Sequence, residues 1–319
     1  MAVGQVATVQ DAYEIGLGFL GGVLSGLLVS GLAPLLERLG YVTNIKLLEM
    51  ANLNHPLLKQ MAMEAPGTYH HSIMVGNLAE SSAELIGANP LLARVGALFH
   101  DIGKIGKKTK PSYFIENQER GANPHDKLEP SMSSLILVTH VKNGVEKAQQ
   151  FRLGKAITDI IQQHHGTNLI RFFYNKALEK AEKTGQVVSE DKYHYPGPRP
   201  QSKEAALVML ADVTEAACRT LTDPTPARIQ KRVQTLVMQL FSEGQLDQST
   251  LTLKDLHAIT KSFVRTLQGI LHSRIDYPSE TRSQEKTNGD SHRHSTDKDR
   301  HRPGRLAEEN GANIRRLGL

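Results

Sequence analysis

The sequence predicts an all-α protein with a membrane helix at its N-terminal side, on three observations. Apolar residues recur at three- and four-residue spacing through most of residues 68–275, the period of a helix with one buried face. Strand-like alternation is nearly absent, and "GQVVSEDKYHY" at 185–195 is the one weak candidate for extended structure. Upstream of both lies a 22-residue stretch with no charge, Ile15–Leu36. With 319 residues and 39% hydrophobic content, the chain can bury one large core.

In chain order, residues 1–14 form a short N-terminal segment. "IGLGFLGGVLSGLLVSGLAPLL" follows and, at about 1.5 Å per residue, reaches roughly 33 Å as a helix. A bilayer core is about 30 Å thick. A signal peptide is disfavoured because the run is too long and no positive charge precedes it. Its six glycines suit close packing against other membrane helices. No Lys or Arg precedes Arg38, whereas Arg38, Lys46 and Lys59 follow the span, an asymmetry that places the rest of the chain in the cytoplasm.

Residues 37–66 are expected to form a helical connector, broken by "APGT" at 65–68, with Thr68 capping the next helix. That helix carries His71, Met74, Val75, Leu78, Ser82, Leu85 and Ile86 at helical spacing and closes at Gly87. Asn89-Pro90 caps and opens another, which runs to His100. Further amphipathic helices are expected over 131–150, 155–165, 168–184, 203–221, 226–242 and 254–275. From Ser279 to Arg305 there is no Val, Ile, Leu, Met, Phe, Trp, Tyr or Cys, so 279–319 is expected to be a disordered charged tail. Its histidines are read as solvated. The expected folded domain is therefore 67–278.

The single cysteine, Cys218, forms no internal disulfide and reads as a small apolar residue in a helix, which suits a cytosolic domain. A net charge of +5, mostly dispersed, gives no argument for a nucleic-acid polymer as partner.

The chemistry lies in "RVGALFHDIGKIGKK" at 94–108, where a helix built for burial ends in His100-Asp101. A buried carboxylate is costly unless paired. Four other places put His or Asp on an apolar helical face or at its end: His71; His140 after "SSLILVT"; His164 and His165 after "KAITDIIQQ"; and Asp212 inside "AALVMLADVTEAA". A single core histidine is more often bonded to a backbone carbonyl, and a single core Asp to an Arg. Seven such residues in one domain would need seven separate partners, whereas one dinuclear centre satisfies them all. His71 is preferred to His70 because its face has the better apolar companions.

Imidazole and carboxylate without thiolate suit two divalent transition metals, Mn or Fe, with Zn open. Asp101 would bridge ions about 3.5–4 Å apart, which activate a water and bind phosphoryl oxygens. Asp101 and Lys104 are the catalytic candidates, Lys104 as a charge on a phosphate oxygen; its bland reading is a basic residue at a helix C-terminus. His125, in a Pro- and Gly-flanked loop, and Tyr174 and Tyr195, in aromatic-rich "RFFY" and "YHYPGPRP", are candidates for substrate contact by stacking. Plain packing is the alternative for the aromatics.

These motifs carry a resemblance. His71, "HDIGK" and "MLAD" resemble the HD-domain metal-dependent phosphohydrolases, so an HD-domain helical bundle is expected. "APGTYHHS", "FIENQERGANPHDKL", "QQHHGTNLIRFFY" and "YPGPRPQSKEAALVMLAD" are similar to the seven-transmembrane HD family, phosphodiesterases of cyclic di-AMP. The resemblance spans about residues 15–275 and implies His71, His100, Asp101 and Asp212 on one ion, with Asp101, His140, His164 and His165 on the other. It also implies hydrolysis of a cyclic dinucleotide to the linear form. Only the last of the family's seven spans is matched, and the link between HDIGK and the next aromatic is a few residues longer. The related cyclic di-GMP enzymes carry a GYP motif after their paired histidines, and "HHGTNLIRFFY" lacks it. Expected partners are the cyclic dinucleotide and a bilayer, with self-association open. The competing readings are a mononuclear nucleotide phosphatase or alarmone hydrolase, and a non-catalytic nucleotide-binding signalling module.

Overall fold

The computed structural model describes residues 9–38, 44–106, 110–118 and 123–272. Among them are helices, short 3-10 turns and loops but no strand; the one β-bridge among these residues pairs Leu169 with His194 of the 185–195 stretch. The long N-terminal helix is α1 (Val9–Arg38). It starts earlier than the expected Ile15, and its apolar window Val9–Leu35 has mean hydropathy 1.9 with none of it buried.

The connector is two short helices, α2 (Asn44–Met50) and α3 (Pro56–Glu64). They anchor to the domain through Leu47, Met50, Leu57, Leu58 and Met61, all buried. Next comes α4 (Pro66–Ala83). It begins two residues before Thr68, so Thr68 lies inside the first turn and does not cap it. That role falls to a residue distant in sequence: Asn117 Oδ1 accepts from the Gly67 and Thr68 N–H groups at 3.0 and 3.2 Å. On α4, His71 is buried and His70 exposed, as the choice of face requires. Leu85, expected inside, is 56% exposed because a 3-10 turn at Glu84–Ile86 rotates it off the buried stripe.

Asn89 caps α5 (Pro90–Phe99) by accepting from Leu92 N–H at 3.0 Å. The helix stops at His100, and a 3-10 turn, Ile102–Lys104, carries the chain on. The remaining helices are α6 (Pro130–Gln150), α7 (Lys155–Gln163), α8 (Arg171–Thr184), α9 (Lys203–Arg219), α10 (Pro226–Ser242) and α11 (Leu253–His272).

Helix α4 sits between α5 and α9, with α3 and α11 also against it, while α6 packs on the Ile102–Lys104 turn and on α7 and α8. Two apolar clusters hold this arrangement. One joins Val75, Leu78, Val208, Met209, Val233 and Phe263 from α4, α9, α10 and α11. The other joins Leu58, Leu98, Phe99, Ile102, Ile157 and Ile161 under α5 and α7. At about 1.5–3 kcal/mol per fully buried large apolar side chain, these clusters fix the helices that bear the polar residues between them. Cys218 is free and buried in the first cluster, and burial pushes its thiol up to about 11. The tail expected at 279–319 lies outside the described residues.

Candidate metal centre

The seven expected ligands come from five helix ends and faces and converge on one place. Helix α4 supplies His71, the end of α5 supplies His100 and Asp101, α6 supplies His140, the end of α7 supplies His164 and His165, and α9 supplies Asp212. Each continues an apolar stripe: His164 follows Ile157, Ile160 and Ile161, and Asp212 follows Ala205, Val208 and Met209, all buried. Three sets, His71/His100/Asp101, His140/His164/His165 and His100/His164/Asp212, each place one donor atom per residue within 4.8 Å of the others. The third set cuts across the division that the sequence suggests.

Asp101 is central. Its Oδ2 lies 3.2 Å from His100 Nε2 and 3.9 Å from His71 Nε2. Its Oδ1 faces the other way, 3.4 Å from His140 Nε2 and 3.8 Å from His164 Nε2. One oxygen therefore serves each group of imidazoles. Asp212 closes the arrangement, with Oδ1 3.0 Å from His71 Nε2 and Oδ2 3.7 Å from His165 Nδ1.

The histidines share a local device. His100, His140 and His164 each donate Nδ1–H to the carbonyl three residues back, Ala97, Leu137 and Ile161, at 2.6, 2.5 and 2.7 Å. That fixes the tautomer and leaves each Nε2 with a bare lone pair aimed at the centre. His140 Nε2 and His164 Nε2 stand 3.2 Å apart. With both Nδ1 protons committed, two lone pairs face each other, which is unfavourable unless a cation lies against both. His100 Nε2 and both Asp101 oxygens are buried without a hydrogen-bond partner of good geometry, although the Lys104 ammonium lies 2.7 Å from Asp101 Oδ2. These acceptors fit a metal centre, since buried acceptors left without well-formed hydrogen bonds cost free energy that a cation returns.

Electrostatics separates two kinds of imidazole. Burial, the largest influence, lowers His140 to about 4 and His165 to about 3, and drives His164 well below its ordinary range. Neutral imidazole is the ligating form. His71 goes the other way: burial opposes its charge, but hydrogen bonds to Asp212 and Glu215 outweigh it and raise it to about 10. Burial would raise Asp101 and Asp212 too, yet neighbouring His100 and Lys104, and His71 respectively, hold both below the usual carboxylate range.

Glu215 was not legible as a site residue. It lies one turn beyond Asp212 on α9, and its Oε2 accepts from His71 Nδ1–H at 2.5 Å. The i,i+3 spacing from Asp212 is the signal that could have found it. Glu116 was missed as well: its Oε1 is 2.8 Å from Lys104 Nζ. Lys104 is no ordinary surface lysine. It is 9% exposed, its Nζ lies 2.7 Å from Asp101 Oδ2, and it sits 4.9 Å over the Phe114 ring.

A cavity of about 310 Å³ opens beside the centre, lined by His71, Lys104, His140, His165 and Asp212 and by the apolar Leu137, Phe172, Leu236 and Leu240. His125 and Tyr195 are on its wall. His125 is a buried residue rather than an open loop residue: it donates Nε2–H to the Tyr113 carbonyl at 2.8 Å and packs on Phe173. Tyr195 stacks on His165 at 4.1 Å, so one ring face is already used. Tyr174 is not among the cavity-lining residues. Its hydroxyl pairs with Glu190 and its ring meets Tyr193, because helical rotation turns the Arg171, Phe172 and Phe173 positions to the cavity instead.

A helical fold with paired His-Asp and a convergent His/Asp set defines a class of metal-dependent phosphohydrolase architecture, and the comparisons agree. The HD domain family model matches residues 68–217. The chain is 46% identical over 280 residues to "Cyclic-di-AMP phosphodiesterase PgpH" of Bacillus subtilis, covering 86% of this chain and 38% of that protein. It is 45% identical over 277 residues to the protein of the same name from Listeria monocytogenes, covering 86% of this chain and 37% of the relative. The crystal structure of the L. monocytogenes PgpH HD domain in complex with cyclic-di-AMP superposes with a TM-score of 0.64 at 46% identity, covering 69% of this chain and 99% of that one. The chain belongs to the HD-domain family, on the side of its PgpH members. It spans under two fifths of the length of these full-length relatives.

Proposed function

We propose that this chain is a metal-dependent phosphodiesterase that opens cyclic di-AMP to the linear dinucleotide. The observation that carries the reading is the Asp101 carboxylate presenting one oxygen to His71 and His100 and the other to His140 and His164, with the lone pairs of His100, His140 and His164 held inward. His71, His100, Asp101 and Asp212 would hold one divalent metal, and Asp101, His140, His164 and His165 the other, with Mn or Fe favoured by the thiolate-free donor set. Such a pair supplies an activated water and positive charge for the phosphoryl oxygens.

The chain's own residues do the rest. Backbone carbonyls and Glu215 fix the imidazole orientations, so no reorganisation is needed when substrate arrives. Lys104, on the cavity wall, faces a phosphoryl oxygen, and the apolar part of the cavity receives the bases. His125 and Tyr195 contribute to that wall. Adenine preference is supported by the names of the relatives and the missing GYP motif. The domain faces the cytoplasm, where the Lys/Arg asymmetry around α1 puts it.

Side-by-side turnover of cyclic di-AMP and cyclic di-GMP by Mn-loaded protein, with products identified, tests the proposal. The expected outcome is linear di-adenylate, with cyclic di-GMP slower by about tenfold or more, a gap of about 1.4 kcal/mol. Equal rates would remove the adenine assignment, and turnover of neither would return the phosphatase or signalling readings.

A further inference from the structure

Glu116 is a buried carboxylate at the edge of the centre that no ligand set uses. It is 5% exposed at its side chain and lies in a 3-10 turn, Ile115–Asn117, pressed against the first turn of α4. The approach is close: a Cβ on Gly67 would fall 1.9 Å from the Glu116 carbonyl oxygen. One explanation for its burial is that it clamps this turn to α4. Asn117 already does that, by accepting from Gly67 and Thr68 N–H groups and donating to Thr68 Oγ1 at 2.7 Å. A neutral side chain could accept the Thr68 hydroxyl, which donates to Glu116 Oε1 at 2.8 Å. Burying a negative charge there is costly unless the charge has a partner.

The partner is Lys104. An ammonium has three donors. One is taken by Glu116 Oε1 at 2.8 Å, and Nζ also forms an ion pair with Asp101 Oδ2 at 2.7 Å. Lys104 lines the cavity, so its remaining donor is available there. With Glu116 neutral, the ammonium, already 2.7 Å from Asp101 Oδ2, would be held by that carboxylate alone, drawn toward the oxygens that both imidazole groups share and away from the cavity wall. Thr68, itself fixed by Asn117, sets where the Glu116 carboxylate sits, so the chain of contacts runs from the α4 N-terminus to Lys104.

We propose that Glu116 is a positioning residue that holds the Lys104 ammonium between Asp101 and the phosphoryl group of a bound phosphodiester. The proposal rests on the phosphodiesterase reading for its substrate, and it acts entirely through Lys104. A double-mutant cycle of Glu116→Gln and Lys104→Met in the full-length, Mn-loaded protein tests it, with inorganic phosphate affinity by calorimetry, metal content, and cyclic di-AMP kinetics as readouts.

Loss of a charged hydrogen bond in the site predicts that Glu116→Gln weakens phosphate binding and lowers kcat by about tenfold each. KM stays within about twofold, because the contact strengthens as phosphoryl charge develops. Metal content stays at the wild-type value. In the Lys104→Met background, Glu116→Gln has no further effect. An equal loss in both backgrounds, or loss of metal from Glu116→Gln, overturns the proposal. If Glu116→Gln does not fold, Thr68→Val replaces it, with about a threefold loss that again vanishes in Lys104→Met; persistence of that loss overturns it. A phosphate cycle behaving as expected without cyclic di-AMP turnover defeats the phosphodiesterase reading and leaves the Glu116–Lys104 coupling standing.

Discussion

At the scale of single residues, the site separates groups that would touch metal from groups that hold them in place. Asp101→Ala removes the carboxylate whose two oxygens face both imidazole groups. The expected outcome is loss of both metals and of activity, whereas His164→Ala should empty mainly one position. His125→Ala should retain both, since His125 bonds to the Tyr113 carbonyl and packs on Phe173 instead. Metal analysis of the three purified variants checks the order, and a metal-depleted His125→Ala would contradict it. Glu215 belongs to the holding groups. Its hydrogen bond orients His71, so Glu215→Gln should weaken metal affinity by about 10–100-fold without unfolding the domain. Competition with a chelator reads the affinity, and an unchanged value would mean that α4 alone fixes His71.

Among the elements, the tightest junction is between the Ile102–Lys104 turn and α6. A Cβ on Gly103 would stand 1.8 Å from the His140 carbonyl oxygen and 2.5 Å from the Gly144 nitrogen. Both are backbone atoms of a helix and cannot swing aside. Gly103→Ala must therefore push the turn off α6, separating Asp101 and Lys104 from His140. Overpacking of this kind costs about 1–3 kcal/mol or more, so a lowered urea midpoint and loss of activity are expected together. Gly269, on α11 with open space around its Cβ position, is the control; Gly269→Ala should be neutral or stabilising by up to about 1 kcal/mol. The same junction shows what sequence can and cannot reveal. Helices α5 through α11 were legible because their apolar period is set by burial, and the seven His and Asp residues stood out because they interrupt that period. Thr68 was misjudged as a cap because the actual partner, Asn117, lies in a loop with no period to place it. Glu116 was invisible for the same reason. Tyr174 was misplaced because an aromatic-rich run does not say which of its members a helix turns inward.

Taken whole, the described residues fall into two parts with different surfaces. Among the described residues, the helical domain closes its own core from Leu47 to Leu267 with no contribution from α1. Helix α1, by contrast, leaves Leu17, Phe19, Leu20, Leu24, Leu27 and Leu28 more than half exposed. Thirty residues of helix extend about 45 Å, more than a bilayer core of about 30 Å, and each such leucine left in water forgoes about 1.5–3 kcal/mol. A bilayer around α1 would recover that energy. The full chain should therefore sediment with membranes and require detergent, while a chain lacking residues 1–40 should be soluble, helical and metal-binding. Arg38, Lys46 and Lys59 at the C-terminal side of α1 predict which face the domain occupies. Protease added to sealed inside-out vesicles should digest the catalytic domain, and right-side-out vesicles should protect it. Digestion in the right-side-out preparation would reverse the orientation, and release of the intact full chain by a salt wash would remove α1 from the membrane altogether.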